Sequence, residues 1–541
     1  MNTWNYFFKS RLAPDQLTVF AILYMVPMIH EMGDPWWTWG GRHAPLLLEA
    51  FLLVVITLIA LNISLLTFLL FVGMSMAYYL VTSFPENPNH ITLLVYCHFV
   101  ILIALPVLMF RNRSTAHQTE TFESLKPVLR LLLITLFFIA GFHKLNTDFF
   151  NPEVSCVNFV VELLEGRLFR PIFGYPFLLL VSPILLVLLY WIIKKSMLIN
   201  GKIGVFVWAT IAMLVIVLAT GVYLSGGDLR LAIVGAGAVL TLLWQLIEGP
   251  LLFVRRLQAP ILIISLVMLG TIAVAGIPMF PAVLLPLLFV FTPNHVFFWW
   301  RDKSILKFAG CQVHSIHACL FINVVGGLVV YVSASTNPSY EQNIIALAIS
   351  QMFFLGGVAL LLLPLVRVIF CGERQWKWEG VKIWHSSAPK FFFVFPLILF
   401  LWGMTPYMGL RTAGNFSMFS NLKTEGPTSN HLLLGSNPIK FWDYQEDLVR
   451  ISSIDEESAK AGHHYDPLNG NSLPAVEFKK IIYIWKAADK KVALTYQYDS
   501  EPVSTPDITN DKNWEIDGRD WEMFWLDFRP VQASGPNHCR W

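Results

Sequence analysis

Long apolar runs broken by short polar turns fill residues 1–408, and the pattern changes after that point. A membrane-crossing helix needs about 17–25 predominantly apolar residues. On that measure the chain predicts spans near 16–30, 46–61, 65–81, 91–110, 127–143, 171–193, 203–224, 230–248, 259–276, 278–297, 314–333, 344–366 and 391–408. The run from Leu46 to Val81 is too long for one crossing. Its 36 residues would reach roughly 54 Å at 1.5 Å each, against a hydrocarbon core of about 30 Å. The polar break Asn62-Ile63-Ser64 folds it into two short spans. Beyond residue 408, Glu477–Trp485 and Val492–Tyr498 are rich in β-branched and aromatic residues and flank the polar Lys486–Lys491, which predicts a β-hairpin. Ser500–Asn513 is polar and Pro-containing and reads as a loop.

Charge sharpens the division. Residues 409–541 hold 33 charged side chains, whereas the 408 residues before them hold 41. The predicted fold class is therefore an all-α polytopic membrane domain of about 13 spans over 1–408, followed by a β-rich soluble domain over 409–541. Loop charge orients it. With thirteen spans, 19 basic residues fall on one side, among them Lys9, Arg111, Lys126, Arg130, Lys194, Arg255, Arg301 and Arg367, and five fall on the other. Lysine and arginine favour the cytoplasmic side, so the N-terminus is expected inside and the C-terminal domain outside the cytoplasm. No cleavable signal peptide is evident, because Pro27 and His30-Glu31 end the first apolar run without a small-residue cleavage site. The setting expected is a bacterial inner membrane or an ER-like one. A net charge of +2 gives no sign of nucleic-acid binding.

Ionisable groups at membrane depth are costly and therefore informative. Glu49 and Glu248 fall near span ends and read as snorkelling or paired residues, and His98 as a buried, hydrogen-bonded histidine. His314 and His317, three apart, would share one helical face, a spacing that permits a metal pair but lacks a third ligand; no metal is predicted. The outer face is denser in polar residues. It gathers His30-Glu31, His90 at the start of the fourth span, and His143-Lys144 at the end of the fifth, with Asn146 and Asp148 following. Lys144 reads equally well as an interface anchor or as a desolvated amine able to act as a base. No Walker loop, dinucleotide fingerprint, nucleophile elbow or HExxH is present. Six scattered cysteines make no disulfide scaffold, although Cys156 and Cys539 are both expected outside, so a bridge between them is topologically open.

The stretch Phe138-Ile139-Ala140-Gly141-Phe142-His143-Lys144-Leu145-Asn146-Thr147-Asp148-Phe149 resembles a segment of the vitamin K-dependent gamma-carboxylases and their bacterial relatives, the horizontally transferred transmembrane (HTTM) domain family. Asn89-His90 resembles that family's Asn-His pair opening a span. Pro406–Leu410 with Asn415–Phe419 falls at the family's junction between last span and strand-rich tail. The resemblance implies Lys144 as the amine that deprotonates a quinol such as vitamin K hydroquinone, with His90 at the catalytic centre and Asn89 and His143 beside the cofactor. His143 stands where the family has a lysine. A further family histidine has no counterpart: Asn294-His295 falls on the cytoplasmic side. The tail's 14 basic against 19 acidic residues offer no basic groove for a recognition peptide.

The family mechanism implies proton removal from the quinol, addition of oxygen, and abstraction of a carbon-bound proton from a second substrate at the extracytoplasmic face. Trp36-Trp37-Thr38-Trp39 would help exclude water there, or simply mark the interface. Asp148 close to Lys144 would oppose a base role, so it is expected to point away or toward the tail. Membrane lipids and a quinone are the expected partners. Two other classes stay open: a non-enzymatic quinone-associated or assembly protein, as in DoxX-like membrane proteins, and a transporter or lipid-handling protein.

Overall fold

The computed structural model describes residues 16–33, 51–52, 55–56, 64–82, 89–111, 118–164, 228–274, 279–294, 304–308, 311–314, 380–384, 388–435, 440–455, 468–498, 501–515, 523 and 525–539. The spans expected near 171–193, 203–224 and 344–366, most of those near 46–61 and 314–333, Glu49, Trp36–Trp39, His295, His317 and the side chains of His30 and Glu31 lie outside them.

The apolar runs form helices α1 (Gln16–Gly33), α2 (Leu65–Thr82), α3 (Asn89–Arg111) and α4 (Gln118–His143). A turn α5 (Thr147–Phe150) and a short α6 (Cys156–Leu164) follow, then α7 (Leu229–Leu252), α8 (Gln258–Val274), α9 (Met279–Phe289) and α10 (Val394–Gly403). Among the described residues, four helices are long and apolar enough to cross a membrane: Leu65–Thr82, Asn89–Arg111, Glu120–His143 and Arg230–Leu252. The other apolar segments are shorter, including Gln258–Ala273 and Lys390–Gly403.

Helices α2 and α3 run antiparallel, as do α4 and α7. Ser75 of α2 meets His98 of α3, and Gly73 meets Leu102. Gly141 of α4 stands so close to α7 that a Cβ there would lie 3.0 Å from the Leu246 backbone nitrogen, while Gly249 faces Ile134 one helical segment away. At one end of the bundle, the Lys126 ammonium reaches Gln16 and Glu123, Gln16 donates to Asn294 at 2.7 Å, and Arg130 donates to the carbonyls of Val290 and Lys382. Helix α4 thus begins at Gln118 rather than near 127, because its first turns bury polar side chains that find partners. Lys144, 18 residues beyond Lys126 and about 27 Å along the helix axis, marks the other end. His98 is held as expected, between Tyr24 (2.7 Å) and Ser75 (2.6 Å).

A β-hairpin, β1 (Ser304–Phe308) and β2 (Cys311–His314), corrects the reading of His314: it ends a strand, so it shares no helical face with position 317.

The tail carries β3 (Leu448–Ile454), β4 (Asn471–Pro474), α11 (Ala475–Ala487), β5 (Leu494–Tyr498), β6 (Glu501–Thr505) and β7 (Val531–Gln532). The strands form one antiparallel sheet in the order β6-β5-β3-β4-β7. Two expectations are corrected here. Glu477–Trp485 is helix, not strand. Phe478, Ile481, Ile482 and Trp485 fall at the i, i+3, i+4, i+7 spacing of one buried face, and Glu477 pairs with Lys480 at 2.8 Å. The hairpin partner of β5 is β6, within the segment expected to be loop. Its Pro502 is tolerated because β6 is an edge strand.

Candidate functional site

The end of the bundle that carries Lys144 is capped by the loop 409–431, and the loop's backbone is shaped for close approach. Gly409 has φ +81° and its Cα faces the Trp442 carbonyl, so only glycine fits. Phe416, Phe419 and Asn421 also adopt positive φ, at 71°, 54° and 56°. Such conformations cost free energy in non-glycine residues and persist where the surroundings hold them.

Three of the four residues singled out from the sequence touch this one loop. Asn89, the first residue of α3, accepts a hydrogen bond at Oδ1 from the Phe416 backbone N–H. His143, the last of α4, contacts the Asn415 carbonyl through Nε2 at 3.2 Å and Tyr407 Oη through Nδ1 at 2.8 Å. A carbonyl only accepts, so Nε2 donates and Nδ1 takes the tyrosine proton. Lys144 Nζ faces the carbonyls of Ala140 (3.3 Å) and Met418 (3.5 Å) and lies 5.9 Å from the centre of the Phe149 ring. The fourth, His90, is 1% exposed at the start of α3.

Lys144 is the residue just beyond the span Glu120–His143 and is buried. Among the described residues no carboxylate stands within ion-pair distance of it. Burial alone pushes its amine down to about 7. Asp148 points toward the tail, as expected: its Oδ2 accepts from Asn430 Nδ2 and the Asn537 N–H, both at 2.8 Å.

The surrounding polar groups are tied together. Asn146 caps α5 through Phe149 N–H and donates to the carbonyls of His143 and Ser420. Asn421 bridges Val154, Cys156 and Asn537. Arg529 donates to the carbonyls of Ser417 and Leu422. A disulfide joins Cys156 to Cys539 and fastens the C-terminal segment beside α6. His431 donates from Nε2 to the Phe142 carbonyl at 3.0 Å and packs against the Tyr407 ring.

Tyr407 and Asn415 lie in the two junction segments singled out from the sequence, but their meeting with His143 and His431 was not legible there. The signal for them was the density of short polar residues (Thr412, Asn415, Ser417, Ser420, Asn421) directly after an apolar span. The two histidines near Tyr407 both spend their ring nitrogens on protein partners. A buried amine that meets two carbonyls at long hydrogen-bond distance is suited to accept a proton.

Compared with known protein families, with curated proteins and with solved structures, the chain matches none.

Proposed function

We propose that this protein is a polytopic membrane enzyme of the HTTM or vitamin K-dependent carboxylase-like type, performing quinol-dependent proton abstraction and oxygenation with Lys144 as base. The observation that carries this reading is the environment of one amine. Lys144 is buried, faces two carbonyls at hydrogen-bond limits, and has no carboxylate partner among the described residues. An amine lowered to about 7 is substantially neutral at physiological pH and able to accept a proton.

A bound quinol would supply the reducing electrons and the acidic hydroxyl. Lys144 would receive that proton. Asn89, whose Oδ1 is already engaged by the loop, would offer its amide N–H to a quinone oxygen, with His90 next to it. His143 would act by holding Tyr407 and the Asn415 carbonyl, which fixes the loop over Lys144. The apolar surround of Phe142 and Phe149 would keep water from the amine. The second substrate would approach from the tail side.

We further propose thirteen spans, with the N-terminus cytoplasmic and the tail outside. The antiparallel pairs α2/α3 and α4/α7 are consistent with that parity. The Cys156–Cys539 bridge at the tail end supports an oxidising compartment on that side.

The test is quinol-dependent oxygen consumption by the purified protein, compared with Lys144→Ala. Loss of about 100-fold or more is expected for removal of a general base. Equal turnover would remove Lys144 from the chemistry. Absence of turnover in both would favour a non-enzymatic, quinone-associated scaffold. Orientation is tested by an impermeant thiol reagent on Lys486→Cys in intact cells: protection until lysis would overturn it.

A further inference from the structure

Among the large apolar side chains exposed on the described part of the tail are Leu432 (51%), Leu433 (69%), Leu434 (38%), Phe441 (73%) and Trp442 (45%). They occupy two short segments, and each is pinned to the end of a different helix. His431 donates to the Phe142 carbonyl and Leu432 N–H to the Leu145 carbonyl at 2.8 Å, so the leucine turn sits against the end of α4. The N–H groups of Phe441 and Trp442 both reach the Met408 carbonyl at 3.1 Å, which sets them against the turn that follows α10.

We propose that Leu432–Leu434 and Phe441-Trp442 form one membrane-inserting surface, which enters the lipid leaflet at the tail end of the bundle. Continuity commits the surface to lipid. Helix α10 and the turn before it display Phe391, Phe393, Leu397, Ile398 and Leu401 outward, and the exposed Phe441-Trp442 pair is bonded to Met408 in the turn that directly follows this helix. Charge agrees. Lys440, beside the aromatic pair, is turned inward: its ammonium donates to the Gly426 carbonyl and to Glu446, and its side chain is only 7% exposed. The exposed Asp443 directly after Trp442 marks where the surface returns to water. Leucine, phenylalanine and tryptophan on the apolar side, with charge withdrawn, are the composition of segments that lie in the boundary between headgroups and acyl chains.

The inference rests on the bundle spanning a membrane, not on the chemistry of Lys144. It adds a consequence for that residue. Because the leucine turn is bonded to Leu145, insertion of the turn sets the Lys144 corner at the depth of the lipid boundary.

The experiment uses the full chain in phosphatidylcholine–phosphatidylglycerol liposomes. A photoreactive phenylalanine analogue replaces Leu433, Phe441, Leu397 or Tyr483, one at a time, and adducts are read by mass spectrometry after irradiation. Leu397 serves as the lipid-facing reference and Tyr483, exposed on α11, as the aqueous one. Lipid adducts at 433 and 441 are expected near the Leu397 yield and at least ~5-fold above that of Tyr483. Yields at 433 and 441 equal to that of Tyr483 would overturn the proposal. So would adducts mainly to a second copy of the chain, which would make the surface a protein interface. Position 441 is exposed and the replacement nearly isosteric, so folding does not confound that arm.

Discussion

Tyr407 donates its phenolic proton to His143 Nδ1 at 2.8 Å across 264 residues of chain. The opposite ring nitrogen of His143 donates to the Asn415 carbonyl, so this imidazole joins the end of α4 to both the turn after α10 and the capping loop. Replacing Tyr407 by Phe keeps the ring packing on Phe142 and His431 but leaves a buried acceptor without its donor. Tyr407→Phe should cost about 1–3 kcal/mol of stability, read as a lowered thermal midpoint in detergent. An unchanged midpoint would show that the bond contributes nothing.

The lowered Lys144 amine has a signed consequence for pH. In the unfolded chain the group stays protonated up to its ordinary 10.5, while in the folded protein it loses its proton near 7. Between those values the unfolded state binds more protons, so this group's contribution to stability rises with pH; below about 7 the penalty of a buried ammonium is fully present. Lys144→Met should therefore stabilise the protein most at pH 5–6, on the order of a few kcal/mol, with the gain shrinking toward pH 10. Thermal midpoints of both proteins across that range decide it. A gain independent of pH would mean the lysine titrates normally.

A buried charge network fastens α11 to the capping loop. Lys480 pairs with Glu477 (2.8 Å) and Asp527 (3.3 Å), and Asp527 with Arg411 (3.4 Å), whose guanidinium also lies over the Trp402 ring. Lys480→Met strands a buried carboxylate and should cost about 3–5 kcal/mol, much of it recovered by adding Glu477→Gln. Limited proteolysis of the tail, compared among the three proteins, provides the readout; equal cleavage of single and double variants would contradict the coupling.

At the junction, Gly409→Ala forces a left-handed backbone on alanine and drives its Cβ to 1.9 Å from the Trp442 carbonyl oxygen. The backbone must move, with a loss of at least ~2 kcal/mol expected. Faster proteolysis within 409–442 than in the parent protein would report it.

Cys156→Ser removes the bridge to Cys539 and frees the segment whose Asn537 N–H meets Asp148. A destabilisation of about 2–4 kcal/mol is expected, together with loss of the mobility difference between reduced and unreduced protein on a denaturing gel. Persistence of that difference would place the bridge elsewhere.

Much of this was legible from order along the chain. The apolar runs at 65–81, 91–110, 127–143 and 230–248 are the four long apolar helices among the described residues, and the strands of the five-stranded sheet all lie beyond the change in charge density at 409. Loop charge placed Asn89, His143 and Lys144 at one end, and the structure brings those three to one loop. The β-propensity of Glu477–Trp485 misled because Ile and Trp suit either element; burial of its 3.6-residue face on the sheet chose helix.

Hydropathy and charge are local quantities that sum over consecutive residues, so the sequence by itself determined which segments are apolar, where charge density rises and which ionisable groups fall at the ends of apolar runs. The partners of those groups were decided only by the tertiary structure. Asn89 with Phe416, His143 with Tyr407, Lys144 with Met418 and Cys156 with Cys539 are contacts between residues more than 260 positions apart. A buried polar atom must find its counterpart in space, and that choice is made by how helices and loop pack together.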